Sequence, residues 1–408
     1  MTDKTDDNRP STLPLSALRV AEFTHTVMGP TCGVFLADLG ADVVRVEPPP
    51  DGDRTRYLTG TGTGYFGFYN RNKKSVMLDL KSAEGIEAAK RLVASADILI
   101  ENFGPGTMDR LGLGYEALSA DNPQLIYCSL KGFLPGPYEK RQALDEVVQM
   151  MSGLAYMTGP PGRPLRAGAS VIDVMGGMSG VIGILSAVEE RHRTGKGQLV
   201  QGSLYESAVF LMGQHMVQSV VTGQELQPMS VRDSAWAIYQ PFDTADEGRQ
   251  VFVGLTTDNI WNRFCKAFDR DDLLADPDLQ TNIDRCRHRQ RLIDDIGTQF
   301  KAIGADDLMA RCEAAGIPFA PVRKPGELFD DPHLVEAGLL WDSTLPGGQE
   351  TRLPGLPVGM SDHKFGLYAD PAAPGEDTRS VFLDLGYDAG QIDALLAQGA
   401  MGEAKKKG

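Results

Sequence analysis

The run Leu18-Arg-Val-Ala-Glu-Phe-Thr-His-Thr-Val-Met-Gly-Pro-Thr-Cys-Gly-Val-Phe-Leu-Ala-Asp-Leu-Gly-Ala-Asp-Val-Val-Arg-Val-Glu47 decides the fold. Its opening, Leu18 to Phe23, reads as a short strand. Pro30 suits the first turn of a helix, and Thr31 to Gly40 reads as that helix, closed by Gly40. Ala41 to Glu47 is the next strand. Strand, helix and strand in this order form a βαβ unit, which in a parallel sheet crosses over right-handed. Glu47 ends the second strand, where the ribose of a dinucleotide would sit. The turn after the first strand, however, holds only Gly29 and Gly33 in place of G-x-G-x-x-G. The pattern supports the fold and argues against a nicotinamide-dependent oxidoreductase.

Outward from this unit the alternation continues. Strands are expected at 75–80, 97–101 and 125–130, with helices at 82–96 and from 107 to about 120. Helical stretches follow at 144–157 and 171–193, divided by Gly159-Pro-Pro-Gly-Arg-Pro, then a strand at 198–204 and an apolar helix to about 221. After that the texture changes to a hairpin, 238–244 with 250–256, and short charged helices to about 316. The expected architecture is α/β: a doubly wound, Rossmann-like large domain over 15–225 and a smaller α+β domain over 226–325. Residues 326–408 are expected to return to the large domain, with a helix near 391–398. Residues 1–14 are polar and proline-containing and read as disordered, and Lys405-Lys-Lys as a solvated tail.

The totals narrow the functional classes. The 408 residues are 42% hydrophobic and 23% charged, ordinary for a globular protein. A net charge of −15 argues against nucleic acid as partner. No apolar run is expected to reach the length of a membrane span, and the polar N-terminus does not read as a signal peptide. Cys32, Cys128, Cys265, Cys286 and Cys312 show neither metal nor disulfide spacing, as reduced cytoplasmic thiols would, and the six histidines show no metal-ligand spacing.

Chemistry concentrates in a few segments. Arg166-Ala-Gly-Ala-Ser-Val-Ile-Asp-Val-Met-Gly-Gly-Met-Ser-Gly-Val-Ile-Gly-Ile-Leu185 carries one acid, Asp173, in an apolar helix start. A carboxylate there must be paired, hydrogen-bonded or used chemically. Ser170 suits the N-cap and the glycines leave a face without bulk, so Asp173 is either a helix cap or a reactive group. The loop Thr24-His25-Thr26-Val27-Met28 lies beyond the carboxyl end of a strand, where α/β folds bind ligands. Glu101-Asn-Phe-Gly-Pro-Gly-Thr-Met-Asp-Arg-Leu-Gly112 is a second strand-end loop running into a helix N-terminus, suited to an anion. Arg71, Lys73 and Lys74 make a basic spot that is either a phosphate cradle or a solvated loop. Asp145, in Arg141-Gln-Ala-Leu-Asp-Glu-Val-Val, is a second carboxylate or an N-cap.

These segments, with Glu189-Glu-Arg-His-Arg-Thr-Gly-Lys-Gly-Gln198, resemble the family III CoA-transferases, the CaiB/BaiF proteins, from about residue 16 to about 395. The resemblance implies that Asp173 is the nucleophile, with Asp145 beside it. It implies a CoA site of His25, Thr26, Val27, Leu78, Asn102, Phe103 and Arg110. It further implies ring-shaped subunits interlocked as a homodimer, with coenzyme A entering as a substrate and no permanently bound cofactor or metal. Val27 stands where formyl-CoA transferase carries glutamine, and Leu144 where the racemase branch carries its histidine base, so proton shuttling by that route is excluded. Gly176 and Gly177 would offer backbone N–H groups to an oxyanion. Arg141, Arg163 and Arg166 flank the Asp173 helix and suit a second substrate carboxylate. The 144–170 region most resembles the mesaconyl-CoA C1–C4 transferase branch, with an intermolecular succinyl-CoA:dicarboxylate transferase as the alternative. A non-catalytic CoA-binding protein would share the loops without needing Asp173.

Overall fold

The computed structural model describes residues 10–231 and 235–404. These fall into two compact units, one from the described residues of Met1–Ser230 and Glu336–Gly408, the other from those of Val231–Val335. The tail 405–408 and most of the N-terminal segment lie outside the described residues. The described end of that segment is ordered: Leu13 is buried against Gly40, and Leu15 N–H donates to Leu39 O at 3.0 Å. Gly40, at φ 106°, ends the first helix so tightly that a Cβ there would lie 2.4 Å from the Leu13 side chain.

In chain order the larger unit runs β1 (Arg19–Phe23), α1 (Met28–Asp38), β2 (Asp42–Glu47), α2 (Tyr65–Tyr69), β3 (Lys74–Leu78), α3 (Ala83–Ala94) and β4 (Ile98–Glu101). It continues with α4 (Thr107–Arg110), α5 (Tyr115–Asp121), β5 (Ile126–Lys131), α6 (Asp145–Met151), α7 (Leu154–Thr158), α8 (Val171–Thr194), β6 (Leu199–Ser203) and α9 (Leu204–Thr222). β3, β2, β1, β4, β5 and β6 lie side by side, all parallel, and the short strand Met401–Gly402 adds antiparallel to β3. Helices cover both faces, so strands β1 to β5 are buried almost throughout, as a parallel sheet demands. Cys32 and Leu36 of α1 and Ile172 and Ile184 of α8 pack on one face. Ala88 and Leu92 of α3, with Phe382 and Ile392 near the C-terminus, pack on the other.

Several local readings change. α1 begins at Met28, three residues before the expected start. The helices expected at 107–120 and 144–157 each break in two, at Gly112 (φ 68°) and Gly153 (φ 86°). The smaller unit holds a three-stranded antiparallel sheet, β7 (Ile238–Asp243), β8 (Gln250–Leu255) and β9 (Phe319–Pro321), over a core that includes Trp261, Phe264, Phe268 and Phe300. The expectation stopped at the β7–β8 hairpin. Against the expectation that no apolar run approaches a membrane span, α8 is long and apolar enough to cross one, by length and composition alone. Its glycine face is pressed on α1: a Cβ on Gly177 would lie 2.6 Å from Met28 O, and one on Gly176 2.5 Å from Met28 Cε.

The basic spot is neither a solvated loop nor an open cradle. Arg71 pairs with Asp38 at 2.7 Å and Lys73 with Glu22 at 2.9 Å, and all four side chains are buried. Lys74 pairs with Asp42 at 2.9 Å. Glu47 is likewise occupied, accepting from Arg56 Nε at 2.7 Å, Ser75 Oγ at 2.7 Å and Asp53 N at 2.8 Å. Burial pushes its pKa up, but the Arg56 bonds and the charge of Arg45 hold it at about 2. It has no acceptor left for a ribose.

Candidate active site

β1 sits mid-sheet with β2 on one side and β4 on the other, so the chain leaves the carboxyl ends of β1 and β4 in diverging directions. Such a switch point opens a crevice. Here it brings the two sequence-selected loops together. The Asn102 side chain grips the His25 backbone from both sides, Oδ1 accepting from N at 2.9 Å and Nδ2 donating to O at 2.9 Å. Its amide therefore holds the neighbouring loop, where a direct contact to CoA was expected. The His25 ring stacks on Phe103, centroids 5.9 Å apart and planes 15° apart. Burial by its neighbours holds the His25 pKa below the ordinary value, with the positive charges of Arg45 and Lys131 acting in the same direction and Asp53 opposing. The imidazole is neutral at pH 7.

Two cavities meet at this stack. One, of about 470 Å³, is mainly apolar and is lined by Val46, Pro48, Leu58, Leu78, Leu80 and Phe103, with Arg54 and Lys81 beside them. The other, of about 240 Å³, holds Val27, Asn102, Lys131, Arg141, Asp145 and Asp173. His25, Thr26 and Phe103 line both.

The first turn of α8 explains how Asp173 is presented. A helix leaves its first N–H groups without partners. Ser170 occupies the N-cap position but its side chain makes no capping bond. Asp145, brought from the first residue of α6, does so instead: its Oδ2 accepts from Ile172 N at 3.0 Å and Asp173 N at 3.2 Å. Its Oδ1 accepts from Gln149 Nε2 at 2.6 Å, while Gln149 Oε1 accepts from Ala167 N at 2.8 Å and ties down the approach to α8. Asp145 is thus the cap of α8, and Asp173 is free of that duty. The Asp173 carboxylate accepts no hydrogen bond among the described residues. Burial first, then the charge of Asp145, push its pKa to about 7 against the pull of Arg166. A half-buried carboxylate with a raised pKa and no hydrogen-bond partner among the described residues, set in a cleft, is a candidate reactive group.

The other expected residues divide. Val27 and Arg141 line the Asp173 cleft, and Leu78 the apolar cavity. The Arg141 guanidinium lies 4.0 Å over the Tyr138 ring and makes no ion pair among the described residues. Arg166 is directed to Glu146 at 2.7 Å and to Asp145 at 3.8 Å, so it serves the cap. Arg110 is exposed, donates to Thr107 Oγ1 at 2.9 Å, and lines neither cavity. Arg163 is exposed and lines neither as well. Gly176 and Gly177 sit inside α8, where N–H groups already serve the i−4 carbonyls, and their face packs on α1. They cannot form an oxyanion site. Lys131, Arg54, Lys81 and Thr55 also line the cavities, unanticipated by the sequence; Lys131 ends β5 and Lys81 follows β3, and that strand-end position is the one signal that marked them.

The pattern that defines CoA-transferase family III matches residues 15–378, and the chain belongs to that family. It is therefore a CoA-transferase. It is 30% identical over 401 residues to the succinyl-CoA:glutarate CoA-transferase of Mus musculus, covering 97% of this chain and 92% of the relative. It is 35% identical over 368 residues to the succinyl-CoA:mesaconate CoA-transferase of Haloarcula hispanica, covering 85% and 90%. Among solved structures, a CaiB/BaiF family protein from Brucella suis superposes with a TM-score of 0.82 at 32% identity, over 91% of this chain and 99% of that one.

Proposed function

We propose that the protein moves CoA between C4 and C5 dicarboxylates with Asp173 as nucleophile. The observation that carries this is the Asp173 carboxylate, with its pKa near 7, sharing a cleft with the cation of Arg141, neither of them in an ion pair among the described residues at salt-bridge distance. In the donor half, the Asp173 carboxylate attacks the thioester carbonyl and expels CoA thiolate, leaving a mixed anhydride. The thiolate attacks the Asp173 carbonyl, releases the donor acid as a carboxylate and leaves an aspartyl-CoA thioester. The acceptor carboxylate then runs both steps backwards. Each step exchanges one acyl bond for another, so the enzyme's task is to hold the partners and keep water from the anhydride. The apolar cavity behind the His25–Phe103 stack accepts the nucleotide end of CoA, with Arg54 and Lys81 near its phosphates. Arg141 takes the carboxylate that does not react.

Two forms of this reaction differ in whether the acid leaves. In one, mesaconyl-CoA moves its CoA from C1 to C4 within the cleft. In the other, succinyl-CoA donates to a separate dicarboxylate, and the names of the mouse and Haloarcula relatives favour this form. Incubating the protein with 2-methylfumaryl-CoA, its C1 thioester, and labelled free mesaconate decides between them. Label in the thioester pool, or dependence on added succinyl-CoA, supports intermolecular transfer; C4 thioester without label supports the internal route. No reaction with any C4 or C5 dicarboxylate refutes the substrate assignment.

We also propose that two copies assemble as interlocked rings, the arrangement the family resemblance implies. Apolar side chains on α8 and α9 support a partner: Ile182 is 67% exposed, and Phe210 and Val220 are each 82% exposed. A surface this apolar is characteristic of an interface.

A further inference from the structure

Thr26 stands at φ 65°. A β-branched residue in the left-handed region is a steric outlier, and it persists only where its surroundings hold it. Three groups do so. Asn102 grips His25 as described. Arg45 Nη2 donates to Thr24 O at 3.2 Å. Thr55 Oγ1 accepts the Thr26 N–H at 3.2 Å. Thr55 is itself fixed from beneath, since Asp53 Oδ1 accepts from its N at 2.8 Å and its Oγ1 at 2.9 Å, while Asp53 Oδ2 pairs with Arg45. Arg45 is 1% exposed and also donates to Asn70. Burying such a network carries a desolvation cost that packing alone would not require.

The residues it holds form the wall between the two cavities. Thr26 Oγ1 lies 2.9 Å from His25 Nδ1, so the conformation of Thr26 aims the ring that stacks on Phe103. The Thr55 hydroxyl donates to Asp53 and accepts from Thr26, so its only proton is committed and it has no hydrogen to give a ligand.

We propose that Thr55 is a positioning residue for acyl-CoA: with Asp53 and Arg45 beneath it, it holds Thr26 left-handed and thereby sets the His25–Phe103 wall that CoA must pass to bring its thioester to Asp173. This rests on CoA occupying both cavities, the reading given above.

Free coenzyme A titrated calorimetrically into the full chain tests it. Thr55→Val is expected to weaken binding about tenfold, and Thr55→Ser to restore it to within about threefold. Glycine adopts positive φ without strain, so in a Thr26→Gly background Thr55→Val is expected to cost no more than about twofold. Unchanged binding in Thr55→Val overturns the inference. A tenfold loss that persists beside Thr26→Gly also overturns it, assigning Thr55 to direct contact. Should Thr55→Val not fold, Asp53→Asn reads the same coupling: a loss confined to the Thr26 background supports the clamp, and an equal loss in both refutes it. Wild-type protein that fails to bind CoA overturns the functional reading and this inference with it.

Discussion

Asp173→Asn should yield a protein that is inactive and yet more stable. In the folded state the Asp173 pKa stands at about 7, against an ordinary carboxylate value of 3.8. A raised carboxylate pKa means that the folded state holds the proton more tightly than the unfolded chain. Stability therefore falls as pH climbs from about 4 to about 7, and the full penalty remains above that. At about 1.4 kcal/mol per pH unit, the penalty at pH 8 reaches an upper limit of about 4 kcal/mol, and at pH 5 less than half of that. Asparagine keeps the shape and carries no charge to desolvate. The variant's gain over wild type should thus be larger at pH 8 than at pH 5, by roughly 2 kcal/mol. Urea titrations of both proteins without ligand, at pH 5 and pH 8, measure this, because contributions from other groups cancel in the difference. A gain that does not depend on pH, or a loss at pH 8, would refute the claim that Asp173 is held at a strained protonation equilibrium. Transfer activity should fall by several orders of magnitude, as removal of a covalent nucleophile does.

The same charge arrangement governs rate. Since attack needs the ionised form, kcat/KM should rise with pH to a plateau above about 7. Asp145→Asn retains an acceptor for the α8 cap but removes a charge that raises the Asp173 pKa, so the pH–rate limb should shift to lower pH; an unmoved limb would refute the coupling. Arg141→Gln should raise KM about tenfold or more for dicarboxylate acceptors, and leave a monocarboxylate acceptor nearly unaffected. Equal effects on both would remove Arg141 from substrate recognition. Light scattering should find a dimer that persists on dilution, and an active monomer would contradict the interlocked arrangement.

The parallel sheet was legible because strands and helices alternate with clear periods, and β1 to β5 fall close to their expected places. What misled was local. Gly112 and Gly153 sit inside apolar patterns that read as continuous helix, and only their positive φ reveals the breaks. The loops of His25 and Phe103 were each legible through strand-end position, but their stacking depends on the strand order, which places β1 beside β4 and which no local pattern disclosed. Asp145 shows the opposite case. Its capping of α8 spans 28 residues of sequence to Asp173 and depends on how α6 packs, so no spacing could disclose it. Arg71 and Lys73 read as either a phosphate cradle or a solvated loop because their partners, Asp38 and Glu22, are distant in sequence. Gly176 and Gly177 looked like part of the site, and their small size serves the approach of α1.

The central claim is that CoA becomes covalently attached to Asp173 during turnover. The protein is incubated with succinyl-CoA alone, quenched and digested, and the peptide containing Asp173 is sequenced by mass spectrometry. The account predicts the mass of CoA, less water, on Asp173, discharged when a dicarboxylate acceptor is added before the quench. An unmodified Asp173 peptide in protein that turns over, or an adduct on another residue, would contradict it.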